Sequence, residues 1–145
     1  KLIALLFDYY GDKAAIGASG PVRGHPLVMA TMGVLDNFRE AYWMAARTVA
    51  TTLSEEGITE KALVEEIKKH YQAGLLLGEV ARQEGSTVVL FRNALNRFTE
   101  LGFVRSEKRG RSGRERWILQ GTAYPNLGDF VERLAAAVRI AHKKD

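Results

Sequence analysis

The amino-acid sequence predicts a mainly α-helical chain. It is expected to form a helical bundle that contains a winged-helix-like unit, two helices followed by a β-hairpin, and that ends in a closing helix. Three observations carry this prediction. Apolar side chains recur at three- and four-residue spacings in three segments before Gly102. After Gly102 the apolar period changes to that of strands, and the helical spacing returns near the end of the chain.

Residues 1–25 are predicted to lie outside the helical part. Residues 11–26 contain four glycines and two prolines, which is typical of a loop or linker. The chain begins at Lys1 without an initiator methionine, which we interpret as a cut inside a longer protein; a processed mature terminus is the alternative. We therefore expect an N-terminal strand or helix remnant and a Gly-rich linker over residues 1–25. A helical, winged-helix-like C-terminal domain is expected over residues 26–145.

The first helix is predicted from Pro26 to about Leu53, because apolar residues form one continuous stripe along it. Four charged residues lie mostly off that stripe: Asp36, Arg39, Glu40 and Arg47. The stretch around Glu40 is rich in both aromatic and charged residues, which we interpret as an amphipathic core helix. The stripe consists of Val28, Met32, Leu35, Tyr42, Ala46, Val49 and Leu53, widened by Phe38 and Trp43.

The second helix is predicted from about Glu60 to Arg82, with Thr59 as its N-cap. An acidic residue in the first turn is favourable because it faces the positive end of the helix dipole. Gly74 and Gly78 weaken this helix and permit the close approach of a neighbouring helix. Its apolar face is predicted to contain Leu63, Ile67, Tyr71, Leu75 and Leu76.

The third helix is predicted over residues 87–101, capped by Ser86 and ended by Gly102. Two strands over residues 103–107 and 115–119 follow, joined by a basic, glycine-containing turn. The order helix, helix, strand, strand is the outline of a winged helix, with the first helix as third member of the bundle. The apolar face of the third helix consists of Val88, Phe91, Leu95, Phe98 and Leu101.

A closing helix is predicted to begin at Asn126 or at Gly128 and to dock by Phe130, Leu134 and Val138. Together the helices and the hairpin are long enough to enclose one hydrophobic core. The predicted core contains Leu35, Phe38, Tyr42, Leu63, Ile67, Phe91, Leu95, Phe98, Val104, Trp117 and Ile118.

Composition excludes several classes of protein. The chain has 145 residues, of which 46% are hydrophobic and 26% charged, so it can bury a core. The absence of cysteine excludes a disulfide scaffold and a thiolate zinc site. No apolar run approaches the length of a transmembrane helix. The net charge of +4 favours an anionic partner such as phosphate, nucleic acid or anionic lipid.

No complete active site is recognisable in the sequence. His25, His70 and His142 lie far apart, and none has a second ligand at metal-binding spacing. No serine lies in a GxSxG elbow, no pair of carboxylates stands out, and the Gly-rich residues 17–24 match no phosphate-binding loop. We therefore predict no catalytic, metal-binding or cofactor-binding residue, and no cofactor.

The predicted hairpin is the strongest electrostatic feature. Its net charge of +4, over residues 103–118, would let it follow a nucleic-acid backbone as the wing of a winged helix. Two other interpretations stay open: a solvated turn beside a solvated helix face, and a contact with anionic lipid headgroups. The candidate anion-binding residues are Arg105, Lys108, Arg109, Arg111, Arg114 and Arg116, and the candidate base-reading residues of the third helix are Arg92, Asn93, Asn96 and Arg97.

Three segments resemble the C-terminal region of PlsB-type glycerol-3-phosphate acyltransferases. Residues 35–43, LDNFREAYW, are similar to a family segment that begins a long apolar helix. Residues 57–63 look like the family's entry into the next helix. Residues 93–98 with 101–104 are similar to a later helix that ends in a glycine and a short strand. The resemblance covers residues 32–119, in the same order and with similar spacing.

The resemblance implies an accessory C-terminal region whose catalytic domain lies N-terminal to it. The family's general base belongs to an Asn-His-x4-Asp motif, but Ala30 follows His25 and Leu75 follows His70 at the aspartate position. The parent enzyme would transfer an acyl chain from a thioester to the sn-1 hydroxyl of glycerol 3-phosphate, and this chain alone would be inactive. The implied partners are the N-terminal catalytic domain and an anionic membrane, contacted peripherally from the cytoplasmic side.

The alternative to this assignment is a DNA-binding winged helix of a transcription regulator. It would use the hairpin over residues 105–116 and the helix over residues 87–101. Nucleic acid is an expected partner only under this alternative. The charge pattern alone permits either function, and the family resemblance favours the acyltransferase.

Overall fold

The computed structural model describes residues 26–143, and side chains from Phe38 onward except that of Ala141. The predicted remnant and linker over residues 1–25, with His25, therefore lie outside the described residues, as does the side chain of Leu35. The boundary predicted after residue 25 stays a prediction. Two compact units, residues 1–35 and 36–145, make up the chain, and every side chain described belongs to the second.

The described residues form four α-helices and three strands, so the predicted mainly α fold class is confirmed. Two short 3-10 turns, Gln83–Gly85 and Tyr124–Asn126, precede the last two helices. In chain order the elements are α1 (Pro26–Thr52), β1 (Ile58–Thr59), α2 (Glu60–Leu77), α3 (Val88–Glu100), β2 (Val104–Arg109), β3 (Glu115–Gln120) and α4 (Leu127–His142).

The three strands form one antiparallel sheet in the order β1-β3-β2. β2 and β3 are the predicted hairpin, with Ser106 opposite Ile118 and Lys108 opposite Arg116. β1 was not predicted, because its two residues are too few to show a period; Ile58 pairs with Ile118. The order helix, helix, hairpin that the sequence predicts is therefore present, with one added edge strand.

Helix α2 begins as predicted but ends earlier. The side-chain oxygen of Thr59 accepts a hydrogen bond from the backbone N–H of Ala62, which confirms the N-cap. The predicted end at Arg82 is wrong, because Gly78 has a φ of 74° and ends the helix in a left-handed conformation. Leu76 is 89% exposed, so its predicted place on the buried face is also wrong.

Helix α3 is confirmed, with a different cap and a narrower buried face. Thr87, not Ser86, caps the helix by accepting a hydrogen bond from the N–H of Leu90. Val88 and Leu101 are exposed rather than buried, because they lie at the two ends of the helix. Gly102 has a φ of 81° directly after α3, as expected for a residue that ends a helix.

Phe98 lies at the centre of the core. Its ring packs edge-on against Tyr42 of α1 and Phe130 of α4, with centroids 6.2 and 5.9 Å away. Phe38 and Trp117, which the sequence placed in the core, are only half-buried. The Phe38 ring packs edge-on against Tyr42, and Trp117 lies on the central strand β3. The predicted core residues that are fully buried are Tyr42, Leu63, Ile67, Phe91, Leu95, Phe98, Val104 and Ile118.

Helix α4 closes the unit as predicted, with Leu134 and Val138 buried. The close helix approach predicted at the glycines of α2 is confirmed at Gly74 only. A Cβ atom there would lie 2.8 Å from the terminal methyl of Met44 on α1, whereas Gly78 has open space around it. The absence of a side chain at Gly74 therefore leaves room for the end of the Met44 side chain.

Candidate anion-binding surface

The β2–β3 hairpin presents four exposed cations. Two of its strand residues, and two in its turn, form no ion pair within the described part of the chain. Gly110 and Gly113 have positive φ values of 98° and 60°, which allow the tight turn that carries the turn cations. We call these four residues the exposed hairpin cations: Arg105, Lys108, Arg111 and Arg114.

Arg109 has a different role, because it is held against the hairpin itself. Its guanidinium carbon lies 4.7 Å from the centre of the Trp117 ring, and its Nη2 lies 2.8 Å from Oε2 of Glu107. The indole N–H of Trp117 donates to Glu115 at 3.3 Å. Arg109 therefore stabilises one face of the hairpin and is less available to a ligand than its exposed neighbours.

Arg116, on the opposite face of the hairpin, joins a polar cluster with two helices. Its Nη1 lies 2.8 Å from Oε2 of Glu60 at the start of α2, and its Nη2 donates to Oδ1 of Asn96 on α3 at 3.2 Å. The Nε of Arg92 on α3 lies 3.3 Å from Oε1 of Glu60. The Glu60 cluster, made of Glu60, Arg92, Asn96 and Arg116, therefore fixes the hairpin to α2 and α3.

The residues predicted to read bases are mostly engaged within the chain. Arg92 and Asn96 belong to the Glu60 cluster. Arg97 is paired with Glu100 at 3.0 Å and has only 17% of its side chain exposed. Asn93 is exposed. Base reading by these four residues stays a prediction, and three of the four would have to change partners to do it.

The structure also contains a buried carboxylate that the sequence did not reveal. Glu40 lies off the predicted apolar stripe of α1, yet only 3% of it is exposed. Its Oε2 accepts hydrogen bonds from the backbone N–H groups of Ala81 and Arg82, each at 3.0 Å, and lies 3.2 Å from the hydroxyl of Tyr71. Its Oε1 lies 2.9 Å from Nε2 of His142 at the end of α4.

Glu40 therefore connects α1 to the segment after α2 and to α4. We call Glu40, Tyr71, His142 and the N–H groups of residues 81 and 82 the Glu40 hub. No local sequence signal marks it, because an acid off the apolar stripe normally indicates solvent. The hub is satisfied by partners within the chain, so its arrangement is that of a structural support.

We expect the free energy of unfolding to fall at alkaline pH because of the ionisation of Tyr71. Burial raises the pKa of Tyr71, and the neighbouring Glu40 carboxylate raises the pKa further. Above about pH 10 the unfolded chain loses this proton while the folded chain keeps it, so the free energy of unfolding falls as pH rises. Below about pH 10 the stabilising contribution of protonated Tyr71 is fully present.

The measurement is chemical unfolding at several pH values from about 9 to 12. Tyr71→Phe should make the alkaline loss shallower by about 1.4 kcal/mol per pH unit. Tyr124→Phe is the control, because Tyr124 is half-buried at the surface of the unit. An identical alkaline slope in the wild-type and Tyr71→Phe proteins would contradict the expectation.

Among the described residues, no helix combines the length and the apolar character needed to cross a membrane. Within residues 26–143 no group of three or more His, Cys, Asp or Glu side chains is placed to hold a metal ion.

Comparison with known families gives one match. Residues 19–107 match the family model described as the glycerol-3-phosphate acyltransferase C-terminal region. The matched range contains α1, β1, α2 and α3 and ends within β2, so the turn of the hairpin, β3 and α4 lie beyond it. No curated protein and no solved structure is significantly similar to the chain.

Proposed function

This chain belongs to the glycerol-3-phosphate acyltransferase C-terminal region family, and from that membership we propose that it is the accessory C-terminal part of such an enzyme. The enzyme would transfer an acyl chain from an acyl thioester to the sn-1 hydroxyl of glycerol 3-phosphate, in phospholipid synthesis. The single observation that carries this proposal is the family match, which spans most of the helical elements.

Catalysis is assigned to a domain outside this chain, because its described histidines serve the fold. Nδ1 of His70 lies 2.9 Å from the hydroxyl of Thr48, which itself donates to the carbonyl of Met44. His142 is bound to buried Glu40. One nitrogen of each ring is therefore engaged within the chain, which supports a structural role for both histidines. The N-terminal catalytic domain of the same protein is the proposed partner.

The isolated chain is expected to show no acyl transfer. Purified protein would be incubated with an acyl thioester and glycerol 3-phosphate, and release of the free thiol would be followed. The matched control is the complete enzyme, with its catalytic domain, under the same conditions. Turnover by the isolated chain above the uncatalysed rate would refute the assignment of catalysis to another domain.

We further propose that the exposed hairpin cations hold this region to the cytoplasmic, anionic surface of a membrane. Each Arg or Lys near such a surface contributes about 1 kcal/mol, so the turn cations Arg111 and Arg114 together with a strand cation give a measurable affinity. Their exposure, and the anchoring of the hairpin by Arg109 and Arg116, support the proposal. The contact is peripheral and electrostatic, and it weakens with salt.

Binding to anionic vesicles is expected to depend on the exposed hairpin cations. Replacing Arg105, Arg111 and Arg114 with glutamine should weaken binding to phosphatidylglycerol vesicles on the order of 100-fold. Co-sedimentation over a salt series would measure it, with pure phosphatidylcholine vesicles as the uncharged reference. The charge-matched control replaces three exposed cations elsewhere: Lys61, Lys68 and Arg133. Equal losses in the two triple variants would contradict a hairpin-specific contact.

A further inference from the structure

We propose that Glu60 is a specificity-determining residue that prevents the α3–hairpin surface from binding nucleic acid. Its carboxylate occupies the guanidinium groups of Arg92 and Arg116, and this leaves the exposed hairpin cations for a flat lipid surface. The exclusion of nucleic acid is inferred from the geometry of the Glu60 cluster. Only the availability of the hairpin cations to lipid rests on the proposed membrane contact.

The geometry of the cluster is that of an internal anion bound by two arginines. One carboxylate oxygen of Glu60 lies 2.8 Å from Nη1 of Arg116, and the other lies 3.3 Å from Nε of Arg92. The Glu60 side chain is only 14% exposed, so its charge faces the arginines rather than solvent. Both contacts lie at ion-pair distance, and the attraction of the carboxylate draws the two guanidinium groups toward Glu60.

The position of Glu60 explains why the carboxylate stays in place. It is the first residue of α2, next to the Thr59 cap, where the helix dipole favours a negative charge. The sheet holds β3 beside this helix start, because Ile58 and Thr59 pair with Ile118 and Trp117. An external phosphate would therefore have to displace a carboxylate that the fold keeps between the two arginines.

The consequence differs for the two kinds of anionic surface. A duplex is bound by a helix and its adjoining wing together, so it needs the cations of α3 as well as those of the hairpin. A lipid surface needs only cations that project from the protein. The Glu60 carboxylate therefore keeps the α3 cations from a duplex. It leaves the projecting hairpin cations available to a lipid surface.

The test compares Glu60→Gln with Glu66→Gln. Glu66 lies on the same helix and pairs with only Lys69, so its replacement changes net charge equally without freeing Arg92 or Arg116. The probes are a fluorescent mixed-sequence duplex and phosphatidylglycerol vesicles, titrated from about 50 to 200 mM salt. Circular dichroism would establish that both variants are folded.

Wild-type protein and Glu66→Gln are expected to bind vesicles and to bind duplex weakly. Glu60→Gln should gain duplex affinity, with a slope of log affinity against log salt steeper by about 1.8, one 0.9 increment for each freed arginine. That slope adds roughly a tenfold loss between 50 and 200 mM salt. Vesicle affinity should change equally in both variants.

A triple variant separates the freed arginines from general charge. Adding Arg92→Gln and Arg116→Gln to Glu60→Gln should remove the gain in duplex binding. Equal duplex binding by Glu60→Gln and Glu66→Gln would overturn the inference. So would tight duplex binding by the wild type at physiological salt. Failure of the wild type to bind anionic vesicles would overturn the proposed membrane contact, while a duplex gain in Glu60→Gln would still establish the role of Glu60.

Discussion

Replacing Glu40 with alanine is expected to lower the free energy of unfolding by about 3–5 kcal/mol. The substitution leaves the N–H groups of Ala81 and Arg82 without their acceptor, in a site where Glu40 itself is 3% exposed. It also removes the partner of His142. A donor left unpaired costs about 1–3 kcal/mol when it is kept from water, and the losses here fall on one part-buried cluster.

Urea unfolding of wild-type, Glu40→Ala and Glu66→Ala proteins measures this loss. Glu66 is the control, because its side chain is 34% exposed and, among the described residues, pairs only with Lys69, so its removal should cost less than about 0.5 kcal/mol. Glu40→Gln should be intermediate, since an amide oxygen still accepts from the backbone. A loss below about 1 kcal/mol in Glu40→Ala would mean that water replaces the carboxylate.

Truncation of Phe98 to alanine is expected to cost about 3–5 kcal/mol. Phe98 is fully buried and joins three helices, because it lies on α3 and its ring contacts Tyr42 on α1 and Phe130 on α4. Removing the ring loses its transfer free energy and leaves a cavity that those neighbours can fill only in part.

Thermal and urea unfolding would both report the loss from Phe98→Ala. Val89→Ala is the matched control on the same helix, because Val89 is 68% exposed and should change stability by no more than about 0.5 kcal/mol. If the two variants lost similar amounts, the assignment of the buried face of α3 would be wrong.

The sequence predicted those helices and strands that are marked by the spacing of neighbouring residues along the chain. The buried face of α3 follows from the spacing of Phe91, Leu95 and Phe98, all of which are buried. The hairpin follows from the change of period after Gly102. The end of α2 was misplaced because apolar residues lie on both sides of Gly78, with Leu77 before it and Val80 and Ala81 after it. Gly78 ends the helix through its backbone conformation, which apolar spacing does not report.

The sequence predicted the positive charge of the site but not which arginines are paired with acidic residues. A run of arginines marks the hairpin, but which of them are neutralised depends on Glu60, which is remote in sequence and is brought near by the sheet. The Glu40 hub was missed for the same reason. Its partners lie 31, 41, 42 and 102 residues away along the chain, beyond any helical or strand period.

The stacking of Arg109 on Trp117 gives the hairpin its own optical signal. The chain contains two tryptophans, and the other, Trp43, lies on α1 with Arg47 over its ring at 5.6 Å. Indole emission shifts with the polarity around the ring, and Trp117 is half-buried beside the turn that carries Arg111 and Arg114. With Trp43 replaced by phenylalanine, the remaining tryptophan fluorescence comes from the hairpin alone, so the protein carries an intrinsic reporter at the surface where an anionic ligand would arrive.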